Sequence, residues 1–440
     1  MSSVFYRNPT YTYPIGLRGD GAYLYDTDGN QYLDGSGGAA VSCLGHAHPV
    51  VLDAIKTQVD ALAYAHTAFF TNEPQERMAT RLAERFGESD ARVYFLSGGS
   101  EANETAFKLA RQYWLAQGKT DKHLMVTRKQ SYHGNTLGAL SASGNPGRRE
   151  MFAPLLHDWP KVDPCYAFRH QLESESDADY AARSASSLEA AIAEHGAENI
   201  AAFMAETVVG ATLGAVAPVD GYLRHIREIC DQHNILLILD EVMAGSGRSG
   251  TYFAFEQDGI QPDIVTIAKG LGGGYQAIGA AIARGKIHDA IVAEFGSFAH
   301  GHTYIGHATA CAAALAVSST IDSEDLLANV VSTGEHIVAG LEQQFAEHPY
   351  VGDIRGRGLL LGIELVADRE TRDPAPAALA SWLKETAMAN GLVIYPGSGT
   401  ADGTHGAHIL LAPPFIYAPN HVDELISKLD NVLRDLPIES

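Results

Sequence analysis

The sequence predicts an α/β protein: one large, mostly parallel β-sheet with helices on both faces, joined to a smaller α/β domain. Three observations carry this prediction. From about residue 50 to 325, short apolar runs alternate with stretches of helical periodicity, the pattern of an open sheet covered on both sides. A helical pattern over 323–348 is stopped by Pro349 and followed by a second, shorter strand–helix series. Residues 20–34 (DGAYLYDTDGNQYLD) alternate apolar and polar side chains around Asp-Gly-Asn, a hairpin pattern.

Strands are expected at 93–96, 123–127, 200–206, 235–239, 264–268 and 278–283. Helices are expected between them, over 101–114 and 221–233 among others, where apolar positions recur three and four apart. Beyond Pro349 the pattern reads strand 358–365, helix 376–390, strands 392–395 and 409–411, and helix 421–433. The expected division is an N-terminal segment 1–48 that joins the small domain, a large domain 49–325, and a C-terminal small domain 326–440. Gly/Ser-rich loops at 97–100 and 397–406 are places where function tends to sit.

Composition narrows the classes. With 46% hydrophobic and 19% charged residues the chain is ordinary globular material, not disordered, collagen-like or coiled-coil. The charge sum 31 − 53 = −22, with no basic run of five, argues against nucleic acid as a partner. No apolar stretch reaches membrane-spanning length and residues 1–9 form no signal-peptide core, so no membrane association is expected. Cys43, Cys165, Cys230 and Cys311 show no Cys-x-x-Cys spacing. That scatter reads as reduced thiols in a cytoplasmic protein, with no metal site.

Chemistry concentrates in five segments. Lys269 leaves the end of an apolar strand and enters Gly270-Leu271-Gly272-Gly273-Gly274. It is either a structural ion-pair partner or a lysine for Schiff-base or phosphate chemistry. Asp240 ends the run Leu236–Leu239, 269 − 240 = 29 residues earlier, about one strand–helix–strand crossover away. Both residues can face one cavity at the carboxyl ends of parallel strands, although Asp240 is equally suited to capping a helix. A metal role for Asp240-Glu241 is the weaker alternative, and no Gly-x-x-x-x-Gly-Lys-Ser/Thr precedes them. In Leu96-Ser97-Gly98-Gly99-Ser100-Glu101 a strand turns into a helix, which is either an anion site or an ordinary cap. Tyr132, in Ser131-Tyr132-His133-Gly134, can stack on a flat ring or be a half-buried loop aromatic. His300, His302 and His307 lack a carboxylate or cysteine at ligand spacing, so zinc is not expected. Together, an imine-forming lysine, a buried carboxylate, a phosphate cradle and a stacking aromatic match the needs of pyridoxal 5′-phosphate.

On these residues the chain resembles the class III (ω-amino acid type) aminotransferases of pyridoxal-phosphate fold type I. The likeness runs from Tyr32-Leu33-Asp34 and Gly45-His46-Ala47-His48-Pro49 to Ala412-Pro413-Pro414-Phe415 and is most specific at Asp240-Glu241-Val242, Gly247-Arg248 and Lys269-Gly270-Leu271. It implies that 49–325 binds the cofactor, with Lys269 holding it as an imine and Asp240 on the pyridine nitrogen. It further implies Val242 and Tyr132 on the two ring faces, Gly99 and Ser100 at the phosphate, and His133 and Gly134 in support. Glu206 would lie near the phenolic oxygen, and Thr303 would reach the phosphate of a neighbouring subunit, making a homodimer or a dimer of dimers. The implied reaction is ping-pong transfer of an amino group from an amine or ω-amino acid to a keto acid, with a racemase, decarboxylase or aminomutase as the alternative.

Departures from the family pattern bear on the substrate. Residues 391–420 contain no Arg or Lys where relatives bind a substrate carboxylate, and His405 and His408 are the nearest polar candidates. An imidazole is a poor substitute for a bidentate guanidinium, so pyruvate or another small keto acid or aldehyde is expected rather than a diacid. Ala40 stands where relatives carry a pocket aromatic, which predicts a roomier pocket. Thr207 replaces a proline, expected to matter for the backbone only.

Overall fold

The computed structural model describes residues 2–438. Its centre is a seven-stranded sheet in the order Arg92–Leu96, Gly279–Ala283, Ile264–Ile267, Leu236–Asp240, Ile200–Glu206, Leu124–Arg128, Lys161–Val162. Gly279–Ala283 runs antiparallel to both its neighbours; the other strands run parallel. The central strands Ile200–Glu206 and Leu236–Asp240 are buried at every residue, which is why they read as continuous apolar runs rather than alternating ones. Helix Gly99–Ala116 covers one face, burying Ala106, Phe107, Ala110 and Trp114. The Trp114 indole donates to the Ala201 carbonyl at 2.8 Å.

Outside this sheet the chain forms two smaller ones. Val351–Arg357, Leu360–Asp368, Ala407–Leu411 and Tyr395–Ser398 make one, with Asp373–Pro374 also paired to Leu360–Asp368, antiparallel throughout. The N-terminal hairpin Tyr23–Asp26/Gln31–Asp34 gains Gly16–Asp20 on one side and Leu392–Val393, parallel, on the other. Leu33 and Leu44 share one apolar cluster with Leu392, Phe415 and Leu425. The two ends of the sequence are thus packed together.

Three expectations change. The pattern over 323–348 is helix Leu326–Phe345 only, preceded by a separate helix Ala308–Ser323. The break falls at Asp325, whose left-handed φ of 51° ends one helix before the next begins. Val351–Arg357 is a strand, hidden in sequence because VGDIRGR mixes charges with glycines. Lys161–Val162 is a two-residue edge strand, too short to leave a periodicity.

At the amino end of strand Ile264–Ile267, buried Asp263 accepts from Arg227 at 2.8 Å, Lys286 at 2.6 Å and the Leu237 amide at 2.9 Å. Burial raises the Asp263 carboxyl, but the Arg227 and Lys286 cations outweigh it and hold the group below the usual carboxylate range. The stability this contributes is complete above the ordinary aspartate pKa and lost as pH falls through the lower native value. Asp263→Asn should therefore cost roughly 3 kcal/mol and remove part of the acid limb of the pH–stability curve. Denaturant unfolding between pH 3 and 7 checks both effects.

Candidate active site

Five strands of the large sheet end at one cavity of about 630 Å³. Arg92–Leu96 leads to Gly99 and Ser100, Leu124–Arg128 to Tyr132, His133 and Gly134, and Ile200–Glu206 ends on Glu206. Leu236–Asp240 supplies Asp240 and Val242, and Ile264–Ile267 supplies Lys269. All of these residues line the cavity. Thr303 does not: it is exposed, and its carbonyl accepts from the Tyr64 hydroxyl at 3.0 Å.

Asp240 is 4% exposed and takes three hydrogen bonds, one on Oδ1 and two on Oδ2, which leaves Oδ1 room for a further donor. Its Oδ1 accepts from the Val242 amide at 2.9 Å, and its Oδ2 from Asn103 Nδ2 and His133 Nδ1, both at 2.8 Å. It therefore caps a turn rather than a helix. Asn103 is the residue sequence reasoning missed. It also donates to the His133 carbonyl at 2.6 Å and accepts from the Thr266 hydroxyl at 2.7 Å. Its only sequence signal is a polar residue on the buried stripe of helix Gly99–Ala116.

Glu206, beside Asp240 in the strand register, accepts from the Tyr132 amide at 2.9 Å and the Gly210 amide at 3.0 Å. Burial raises its carboxyl, His133 lowers it, and the neighbouring Asp240 charge raises it again. Glu241 turns away from the cavity and accepts from the amides of Ala254 and Phe255 at 2.7 and 2.8 Å. Thr207 donates its hydroxyl to the same carboxylate at 2.9 Å, so its side chain, and not only its backbone, matters.

Helix Gly99–Ala116 has no side-chain cap, and Glu101 engages only the Ser97 amide outside it, at 2.9 Å. Its first amides thus face the cavity without a capping side chain, an arrangement suited to a phosphate. Space there requires glycine twice. A Cβ on Gly99 would lie 2.8 Å from Val242 Cγ1, and one on Gly134 (φ +135°) 2.3 Å from Ser100 Oγ. An uncapped helix terminus, a buried carboxylate held by a backbone amide, Asn103 and His133, and a lysine on one wall fit pyridoxal phosphate.

Two other expectations are corrected. Ala40 packs into an apolar cluster with Met243, Leu360 and Leu410, and Ala39 and Val41 form the cavity wall instead. His408 is fully buried against Thr400 at 2.6 Å, and His405 pairs with Asp402 at 2.7 Å; neither lines the cavity. Among the described residues no group of three or more His, Cys, Asp or Glu side chains could hold a metal ion.

Lys269 adopts a left-handed φ of 47°, a strained backbone for a side-chain-bearing residue. Burial pushes its ammonium down to about 8, against the opposing pull of Asp240 and Glu206. Between that value and the ordinary 10.5 the unfolded chain binds more protons, so the cofactor-free protein should gain stability as pH rises through this window. Reductive methylation of Lys269, followed by peptide mass mapping, should reach half its maximal rate near pH 8. Asp240→Asn removes a stabilising anion and should shift that midpoint further down.

A family model described as aminotransferase class-III matches residues 6–433. An uncharacterized aminotransferase of Schizosaccharomyces pombe is 41% identical over 433 residues, 98% of this chain and 94% of that protein. Among solved structures, a thermostable (S)-enantioselective ω-transaminase from Thermomicrobium roseum aligns with a TM-score of 0.91 and 34% identity, covering 98% of this chain and 96% of that one. A PLP-bound amine transaminase from an uncultivated Pseudomonas species gives 0.92 and 34%, covering 99% of each. These likenesses do not favour the racemase, decarboxylase or aminomutase alternative. The chain belongs to the class III aminotransferases, pyridoxal-phosphate-dependent enzymes of fold type I.

Proposed function

We propose that the enzyme transfers an amino group from an amine or ω-amino acid to a small keto acid such as pyruvate, in two half-reactions at one site. The observation that carries this reading is the meeting of Lys269, Asp240 and an uncapped helix terminus in one cavity. Pyridoxal phosphate, when bound, supplies an aldehyde that accepts the amino group and a protonated ring that draws electrons from the substrate carbon. Asp240 is the partner for the ring nitrogen, its charge kept in place by Asn103, His133 and the Val242 amide. Gly99 and Ser100 are the phosphate contacts, and Val242 and Tyr132 the walls on the two ring faces. Glu206 faces the phenolic side, with Gly134 leaving room for Ser100.

Lys269 is the covalent anchor and then the proton carrier. An amine whose pKa is pushed down to about 8 is partly neutral under ordinary conditions. It can take a proton from the substrate carbon bearing the amino group and return it elsewhere. An ω-amino acid or amine donor is supported by what the neighbours are called, an ω-transaminase and an amine transaminase. A small keto acid is supported by the absence of Arg and Lys from 391–420.

The working unit in this reading is a homodimer or a dimer of dimers. Tyr64, Phe69, Phe70 and Tyr304 are exposed, Phe69 to 81%, and Tyr64 packs edge-on to Tyr304 at 5.7 Å beside Thr303. An aromatic surface of this kind suits a second copy of the chain, whose Thr303 would complete the phosphate site. The division into 1–48, 49–325 and 326–440 belongs to the same reading. So does a reducing, cytoplasmic setting, supported by four free, buried cysteines. No helix of the described residues is long and apolar enough to cross a membrane.

Two experiments test this reading. Borohydride reduction of the holoenzyme should fix the cofactor on the Lys269 peptide, and Lys269→Ala should give no adduct and no turnover. Turnover at the wild-type rate in that variant would sink the assignment. Phe69→Glu should shift the protein toward monomer in gel filtration and weaken cofactor retention together, whereas a fully active wild-type monomer would refute the shared site.

A further inference from the structure

The missing carboxylate-binding arginine is answered from another part of the chain. Arg7 and Arg148 both line the cavity that holds Lys269. The Arg148 guanidinium carbon lies 4.5 Å from the Tyr132 ring centroid. Burial raises the Tyr132 phenol, while Arg148 and Arg7 both pull it the other way, so both cations act on that hydroxyl. Arg169, Arg227, Arg355 and Arg357 are paired with carboxylates. Among the described residues, no acid lies within salt-bridge reach of Arg7 or Arg148.

The neighbouring arginine explains how Arg148 is kept available. Arg149 Nη1 donates to the carbonyls of Leu140, Ser141 and Ser143 at 2.8, 2.6 and 2.8 Å, locking the turn to the segment before it. Asn145 accepts from the Arg148 amide at 3.2 Å, and Pro146 packs closely against Gly403. The turn is therefore braced without using the Arg148 guanidinium. The cavity's acids, Asp240 and Glu206, are meanwhile engaged by backbone amides, Asn103 and His133 at the strand ends. An anion entering the cavity is repelled from that floor and drawn to the arginines.

We propose that Arg148, assisted by Arg7, is the carboxylate-binding subsite of this enzyme and selects small monocarboxylic keto acids. This rests on the transaminase reading above. A carboxylate held at Arg148 keeps the acceptor in the cavity that Lys269 also lines. Guanidinium–carboxylate pairing supplies the strength, and stacking on Tyr132 fixes the plane of the guanidinium.

The test compares pyruvate with propanal, the three-carbon acceptor lacking a carboxylate, in the full-length holoenzyme. Arg148→Leu should raise the KM ratio of pyruvate to propanal roughly 10- to 100-fold, the effect of losing a charged hydrogen bond. Arg148→Lys should restore part of that ratio, and Arg7→Ala should move it in the same direction as Arg148→Leu. Calorimetric titration with propionate and propionamide adds a readout independent of turnover. Wild type should prefer propionate, and Arg148→Leu should lose the preference. Equal losses for pyruvate and propanal, or an unchanged propionate preference in Arg148→Leu, would overturn the proposal. If wild type transaminates neither acceptor, the functional reading fails, and the propionate titration still decides the subsite.

Discussion

The carboxylate of Asp240 is the constraint on which the site depends. A charge at the end of a fully buried strand is tolerated only when its oxygens are bonded. Here the Val242 amide, Asn103 and His133 meet that need. Each donor is fixed in turn. Asn103 is held by the Thr266 hydroxyl, and the His133 amide donates to the Ser143 hydroxyl at 2.8 Å. One carboxylate thereby ties together helix Gly99–Ala116, the turn carrying Tyr132 and strand Ile264–Ile267, which precedes Lys269.

Around that anchor, opposing effects set the reactivity of Lys269. Burial favours its neutral form, and the two nearby carboxylates favour the charged one. Desolvation wins, leaving an amine near 8 rather than a locked ion pair. Its left-handed backbone is held by its neighbours: the Lys269 carbonyl accepts from the amides of Gly272 and Gly273. The clamp at Asp263 sits at the other end of the same strand. Stability and chemistry are in this way carried at opposite edges of one sheet.

Much of this was legible in the sequence because the chemistry sits where strands end. Lys269, Asp240 and Ser97–Ser100 each follow an apolar run, so local pattern alone placed them at the same edge. What stayed hidden depends on contacts between distant residues. Asn103 meets Asp240 across 137 positions, and nothing around it records that bond. Ala40 and its neighbours Ala39 and Val41 are chemically alike, so sequence could not decide which faces the cavity. His405 and His408 fell in the expected stretch, yet Asp402 and Thr400 occupy them. Arg148 was invisible as a site residue because it lies in a Pro-Gly-Arg-Arg turn that reads as surface. The helical periodicity over 323–348 overran its true start because Asp325 can adopt a conformation that breaks a helix without proline or glycine.

The division of labour between Arg148 and Arg149 bears on how such an enzyme changes over evolutionary time. Arg149 keeps the turn in shape through three carbonyls, whatever side chain precedes it. Position 148 can therefore be exchanged by a single codon change without the local backbone collapsing. On the reading proposed above, a lineage can explore new acceptors at that position while Lys269 and Asp240, carried by other strands of the sheet, stay as they were.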